Sequence, residues 1–301
     1  MRTRYTWTAL GVVLCGLLAH GTARAATITT EATAYVASAD PDTVLDRNIG
    51  ADHVWSSAGN WVCEGPEDDC ARDEYAEGWA YGSADGDVRV GAAHYLGAWG
   101  GEWWGLADGS GFASVKWEDS RYIDPSSPYF EFTVNQGWLE VGGDAPGSGT
   151  LSAWYVIQIL VDGSEVWFSE GTLEATHDDD TGWSWTYEHD GDLQYSLDGF
   201  TDDYDNDGVP DFVSAWVDFD EQTFRLDLGY RAGSTVPITY YMAVSASDPT
   251  TVEGSGSNWA EARFGDPFPP QPVPEPGTLI LVGSGLAGLG ALRRRRRRSS
   301  G

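Results

Sequence analysis

The chain's 301 residues include 17 basic and 47 acidic residues, a formal net charge of -30, with 38 glycines and 15 tryptophans. Lys116 is its single lysine, so there is no basic footprint for a phosphate backbone. Nucleic acid is thereby excluded as a partner, and anionic membrane surfaces are disfavoured. Divalent cations are favoured, and adaptation to high salt is the competing reason for so acidic a composition.

Residues 1–25 open with Arg2 and Arg4, run through the apolar stretch from Ala9 to Ala19, and close with Ala23-Arg24-Ala25. This is the pattern of a cleavable secretory signal peptide ending in a small-x-small site.

Residues 26–265 are expected to form an all-β body, an antiparallel β-sandwich or jelly roll. Alternation places Phe130, Phe132 and Val134 on one face of a strand, and Phe224, Leu226, Leu228 and Tyr230 on one face of another. Asp162-Gly163 supplies the positive φ angles of a tight hairpin between Val156–Val161 and Glu165–Phe168. A second hairpin is expected around Asp190-Gly191, between Trp183–Tyr187 and Leu193–Tyr195. Ile238, Tyr240, Met242 and Val244 mark one face of a later strand. Residues 266–273 then form a proline-stiffened linker.

The tail, residues 274–301, begins Pro274-Glu275-Pro276-Gly277. It continues without charge to Leu292 and then carries six consecutive arginines, Arg293–Arg298. As a helix, residues 277–292 would span about 24 Å at ~1.5 Å per residue. That is a short transmembrane segment beside the ~30 Å hydrocarbon core. The arginines stay cytoplasmic by the positive-inside rule, so the body lies on the far side. Both ends therefore agree on export. Without signal and tail the chain keeps eight basic and 46 acidic residues.

The order Val-Pro-Glu-Pro, short Gly-rich apolar helix, terminal arginine cluster resembles the PEP-CTERM sorting signal of Gram-negative bacteria. The resemblance implies recognition of Pro274, Glu275 and Pro276 by a membrane protease of the exosortase type. It implies transient residence in the inner membrane, then attachment at the cell surface or release outside. Because proteins with this tail often come from bacteria that make exopolysaccharide, it also implies a matrix role with exopolysaccharide as a partner.

Within the body, Asp203-Tyr204-Asp205-Asn206-Asp207-Gly208-Val209-Pro210-Asp211 has alternate carboxylates in a tight loop, with Gly208 at the sixth position. This spacing converges oxygens on one point, as calcium loops do. Asp203, Asp205 and Asp207 would offer side chains, Val209 its carbonyl, and Asp211 a direct or water-mediated contact to a structural Ca2+. Ser214 stands where an EF-hand has its bidentate Glu, and Pro210 argues against a helix-loop-helix unit. The loop is more similar to single thrombospondin type 3 or dockerin-like repeats. The competing reading is an acidic surface turn without a fixed ion.

Cys15 leaves with the signal, so Cys63 and Cys70 remain as a pair in an oxidising compartment, where a disulfide is the expected state. Fourteen tryptophans remain with the body. Most belong in a core, and Trp103, Trp104, Trp183 and Trp185 are the candidates for an exposed carbohydrate platform. No HExxH, GxSxG, phosphate-binding or dinucleotide-binding motif is present, and no catalytic residue is assigned. The sequence therefore points to a secreted or surface-attached structural or adhesive protein of the extracellular matrix, sorted by an exosortase, calcium-stabilised and not an enzyme. The alternative is a carbohydrate-binding module or a carbohydrate-active enzyme, a glycoside hydrolase or lyase, on a jelly roll.

Overall fold

The computed structural model describes residues 26–36, 44–50, 53–63, 70–83, 86–98, 104–106, 109–144, 147–249, 251–253 and 256–265. The signal, the linker and the tail lie outside them. Among the described residues the chain is all β apart from one 3-10 turn, Gly229–Arg231. In chain order the strands are β1 (Thr27–Val36), β2 (Val44–Gly50), β3 (His53–Cys63), β4 (Cys70–Gly82), β5 (Val88–Ala98), β6 (Trp104–Leu106), β7 (Gly109–Tyr122), β8 (Tyr129–Val134) and β9 (Gly137–Gly143). They continue with β10 (Gly147–Val161), β11 (Ser164–Asp178), β12 (Gly182–Gly191), β13 (Ser196–Asp202), β14 (Phe212–Phe219), β15 (Gln222–Asp227), β16 (Thr235–Asp248), β17 (Thr251–Glu253) and β18 (Gly256–Phe264).

Two large antiparallel sheets face each other. One runs β12-β11-β10-β16-β7-β1-β2, with β17 and β6 paired beyond β10. The other runs β13-β14-β9-β18-β5-β4-β3, and β15-β8 form a small ribbon of their own. Across the interior β16 packs on β5 and β18, and β7 and β1 pack on β4.

Period-two patterning explains why these segments stack as they do. In β10 the inward residues Leu151, Ala153, Tyr155, Ile157, Ile159 and Val161 are buried, while every intervening residue except the buried Val156 sits half-buried. In β16 the expected set Ile238, Tyr240, Met242 and Val244 is buried in the same way. Each such aliphatic or aromatic side chain contributes about 1.5–3 kcal/mol over exposure, and the β-branched residues between them also favour extended backbone. At one end the core is aromatic, with Phe132, Trp167, Phe219, Tyr240 and Phe264 buried. Toward the other it is built from Ala32, Ala34, Ala76, Ala92 and Ala113. There the sheets approach to backbone contact, so that a Cβ on Gly111 would overlap the Glu77 carbonyl oxygen.

The Asp162-Gly163 hairpin joins β10 and β11, with φ of 56° and 77° at the two turn residues. The Phe224 face holds through Leu226 and Leu228. Tyr230, however, is 64% exposed, because the strand ends at Asp227 and the chain winds into the 3-10 turn. The hairpin expected at Asp190-Gly191 is not there. β12 runs through both residues and pairs backward with β11, and the turn lies between Asp178 and Gly182. Gly191 has φ of 110° because its backbone is pressed against Phe168 and Ser169, where a Cβ would not fit. Leu193 is buried, and the next strand, β13, belongs to the other sheet.

Candidate functional site

β13 and β14 are neighbours whose last paired residues are Asp202 and Phe212, so residues 203–211 form a hairpin loop between strands, not between helices. Its sequence dictates its shape. Asp203 accepts the backbone N–H of Asp207 at 3.2 Å and that of Gly208 at 2.8 Å. Asp205 accepts the N–H of Asp207 at 3.0 Å, and Asp211 accepts that of Tyr204 at 2.8 Å. Two residues take the left-handed region, Asn206 at φ 62° and Gly208 at φ 93°, both types that tolerate it. The loop is then tied to the opposite sheet by Trp183 N–H donating to the Pro210 carbonyl at 3.1 Å.

The result brings one carboxylate oxygen each from Asp203, Asp205 and Asp211 within 4.8 Å of one another. Hard oxygen donors so placed suit Ca2+, which takes six to eight oxygens. Asp207, expected as a ligand, is not part of this group; its Oδ1 accepts the Val209 N–H at 2.8 Å and acts as a turn cap. Beside the loop, the Tyr204 hydroxyl is raised above the usual phenol range, first by desolvation and then by the charges of Asp202, Asp144 and Asp211.

Cys63 and Cys70 terminate β3 and begin β4, and the backbone register pairs them directly, with an irregularity after Val62. Residues 64–69 between them lie outside the described residues. Opposed residues of antiparallel strands sit about 4.5–5.5 Å apart at Cα, inside the ~4.4–6.8 Å range of disulfides.

Of the tryptophans assigned to a platform, Trp183 and Trp185 do not present an exposed face. Trp183 is 3% exposed and Trp185 half-buried, because the face they share on β12 is the one turned to the core. Trp183 packs against the His177 ring at 5.0 Å. Trp104 pairs with Glu253 through the backbone, and Trp103 lies outside the described residues. Among the described residues, Trp138, Trp216 and Trp259 face outward on β9, β14 and β18 of the seven-stranded sheet, and Trp154 faces outward on β10 of the other. Their sequence signal is alternation with buried neighbours such as Leu139, Val217 and Ala260.

Among the described side chains, His94, His177 and His189 each make contacts that join separate segments of the body. His177 Nδ1 donates to the Gly147 carbonyl, and His189 Nδ1 lies 3.1 Å from the buried Tyr155 hydroxyl. His94, buried between the sheets, has Nε2 3.2 Å from Glu74 and Nδ1 3.7 Å from Asp248, both buried. Gly109 faces this cluster, and a side chain there would overlap the imidazole. A cavity of about 530 Å³ is lined by Arg89, Arg121, Trp117, Phe132 and Tyr240. Its arginines are engaged by Asp87 at 2.7 Å and Asp119 at 2.7 Å.

Among the described residues no helix is long and apolar enough to cross a membrane; the expected span at 277–292 and the signal at 1–25 lie outside them. No curated protein matches the chain. Residues 272–297 match the PEP-CTERM protein-sorting motif, which implies export, processing by an exosortase and sorting to the cell surface or extracellular space.

Proposed function

We propose that this chain is a structural or adhesive protein of the cell surface or extracellular matrix, and not an enzyme. Its signal peptide is removed on export. Its tail, crossing the inner membrane at 277–292 with Arg293–Arg298 in the cytoplasm, is cut by an exosortase near Pro274-Glu275-Pro276. The observation that carries the reading is the sorting motif at 272–297, placed behind an acidic two-sheet body.

Two features suit the body to life outside the cell. A Cys63–Cys70 disulfide would close the end of the β3–β4 hairpin, where the register already opposes the two residues; closing so short a loop contributes about 2–3 kcal/mol. A Ca2+ held by Asp203, Asp205 and Asp211 would neutralise the β13–β14 loop. Both stabilise without chemistry, in keeping with a structural role. Replacing Pro274-Glu275-Pro276 by alanines should leave the protein in the inner membrane of an exosortase-bearing host, because the apolar span and arginines remain while the processing signal is gone. Release of that variant at the wild-type level would overturn the proposal.

A further inference from the structure

The outward face of the seven-stranded sheet carries a row of aromatic rings contributed by strands far apart in sequence. At one edge the rings of Phe200 on β13 and Phe212 on β14 lie 5.6 Å apart, and Phe212 lies 6.2 Å from Trp259 on β18. Between β14 and β18 runs β9, which presents Gly142 opposite Trp259. A side chain at Gly142 would overlap the indole, so glycine lets that ring lie across the strand instead of standing on it. On its other side Trp259 is paired with Tyr95 of β5, and Tyr95 with Tyr75 of β4. Both tyrosines are 37% exposed and Phe200 is 50% exposed. Six neighbouring strands at ~4.8 Å spacing make the row about 24 Å long, the length of about five pyranose rings.

A line of carboxylates runs beside the row, two residues along each strand on the same face. Glu140 and Glu261 are directly opposed across β9 and β18, and Glu77 stands next to Tyr75 on β4. Trp259 Nε1 donates to Glu140 at 3.0 Å, and the Tyr75 hydroxyl donates to Glu77 at 2.7 Å, which fixes both rings. A carboxylate has two oxygens and several lone pairs, so acceptor capacity is left on each. Glu261 is raised above the usual carboxylate range by desolvation, against the opposing effect of its partner Arg263, with Glu140 adding to the rise. Arg263 in turn sits 3.8 Å over the Trp138 ring, which caps that ring and leaves it out of the row.

We propose that this row binds a linear, uncharged polysaccharide, with pyranose rings laid on Phe212, Trp259, Tyr95 and Tyr75 and their hydroxyls donating to Glu140, Glu261 and Glu77. A pyranose ring has an apolar C–H face and a rim of O–H donors, which complements aromatic rings flanked by acceptor-only groups. The same carboxylates repel uronate or sulfate groups, so the occupant is not anionic. This goes beyond the structural role proposed above by naming the partner's class. The row stands on strands and does not depend on tail processing; only Phe200 and Phe212 border the 203–211 loop.

The test is titration of the full chain, in a zwitterionic detergent, with neutral β-linked gluco-, xylo- and N-acetylglucosamine oligosaccharides from the disaccharide to the hexasaccharide, followed by calorimetry and tryptophan fluorescence. At least one series should bind, tightening with length until about the pentasaccharide. Tyr95→Ala and Trp259→Ala should each weaken binding about tenfold or more, and Trp154→Ala, on β10 of the other sheet, should leave it unchanged. Because the Trp259 ring also covers Gly142, the exposed pair Tyr75→Ala and Tyr95→Ala serves as the control for folding. No binding to any neutral series, equal binding by the tyrosine double variant, or tighter binding of an oligogalacturonate would overturn the proposal.

Discussion

Replacing Asp205 by Asn should make the calcium-free protein more stable and the calcium response smaller, a crossing of effects that only a metal loop produces. Asp203, Asp205 and Asp211 lie within 4.8 Å of one another, where each pair repels by about 0.9 kcal/mol at bulk-water dielectric. Screening at physiological salt, with a Debye length of about 8 Å, leaves roughly half of that. Asp205→Asn removes two of the three repulsions, about 0.9 kcal/mol in all, and keeps an oxygen for the Asp207 N–H. In a body of this size 1 kcal/mol corresponds to about 2–4 °C in Tm. Without calcium the variant should therefore melt a few degrees higher. The wild type should gain about 2.7 kcal/mol at a hundredfold excess of calcium over Kd, and the variant much less. Asp207→Asn should keep most of the gain, because Asp207 caps Val209 and stands outside the carboxylate group. Scanning calorimetry in EGTA and in millimolar calcium reads all of these values. Equal calcium gains in wild type and Asp205→Asn would refute the reasoning and leave the acidity as salt adaptation.

Other consequences follow from particular contacts. Mass spectrometry of the exported protein should show Cys63 and Cys70 two hydrogens lighter than the dithiol; two alkylatable thiols would refute the pairing. Gly111→Ala should destabilise by at least about 1–3 kcal/mol, since its Cβ meets backbone of the facing sheet that cannot move aside; an unchanged Tm would mean that the sheets are not in backbone contact there. His94→Ala should cost about 3 kcal/mol or more by removing a partner of two buried carboxylates, and a neutral effect would argue against that cluster. Asp178 is held below the usual carboxylate range by the Asp180 N–H and by the hydroxyl and N–H of Thr181. With its folded pKa depressed, its contribution is full above the ordinary carboxylate value of about 4. That contribution is lost as pH falls through the folded value, so Asp178→Asn should lose stability at neutral pH and converge with wild type in acid.

What could be read from the sequence was local. The Asp162-Gly163 turn and the alternating faces of β8 and β16 depend on residues within a few positions of one another, and each stands where its chemistry places it. Gly191 was misleading for a physical reason: a glycine with positive φ marks either a turn or a close approach of two backbones, and here it marks an approach to Ser169. The carboxylate spacing led to the loop but not to which three carboxylates converge in it, because the capping of Val209 by Asp207 depends on backbone direction within the turn. The aromatic row was out of reach. Phe200, Phe212, Trp259, Tyr95 and Tyr75 come from five strands, and only the pairing of β18 with β5 and β9 brings them side by side.

The most direct test of the account is the intact mass of the protein released by an exosortase-bearing host. The released chain should begin after the signal, at Ala26, and end near Pro274-Glu275-Pro276, without residues 277–292 and without Arg293–Arg298. A released protein that still carries the six arginines would contradict it.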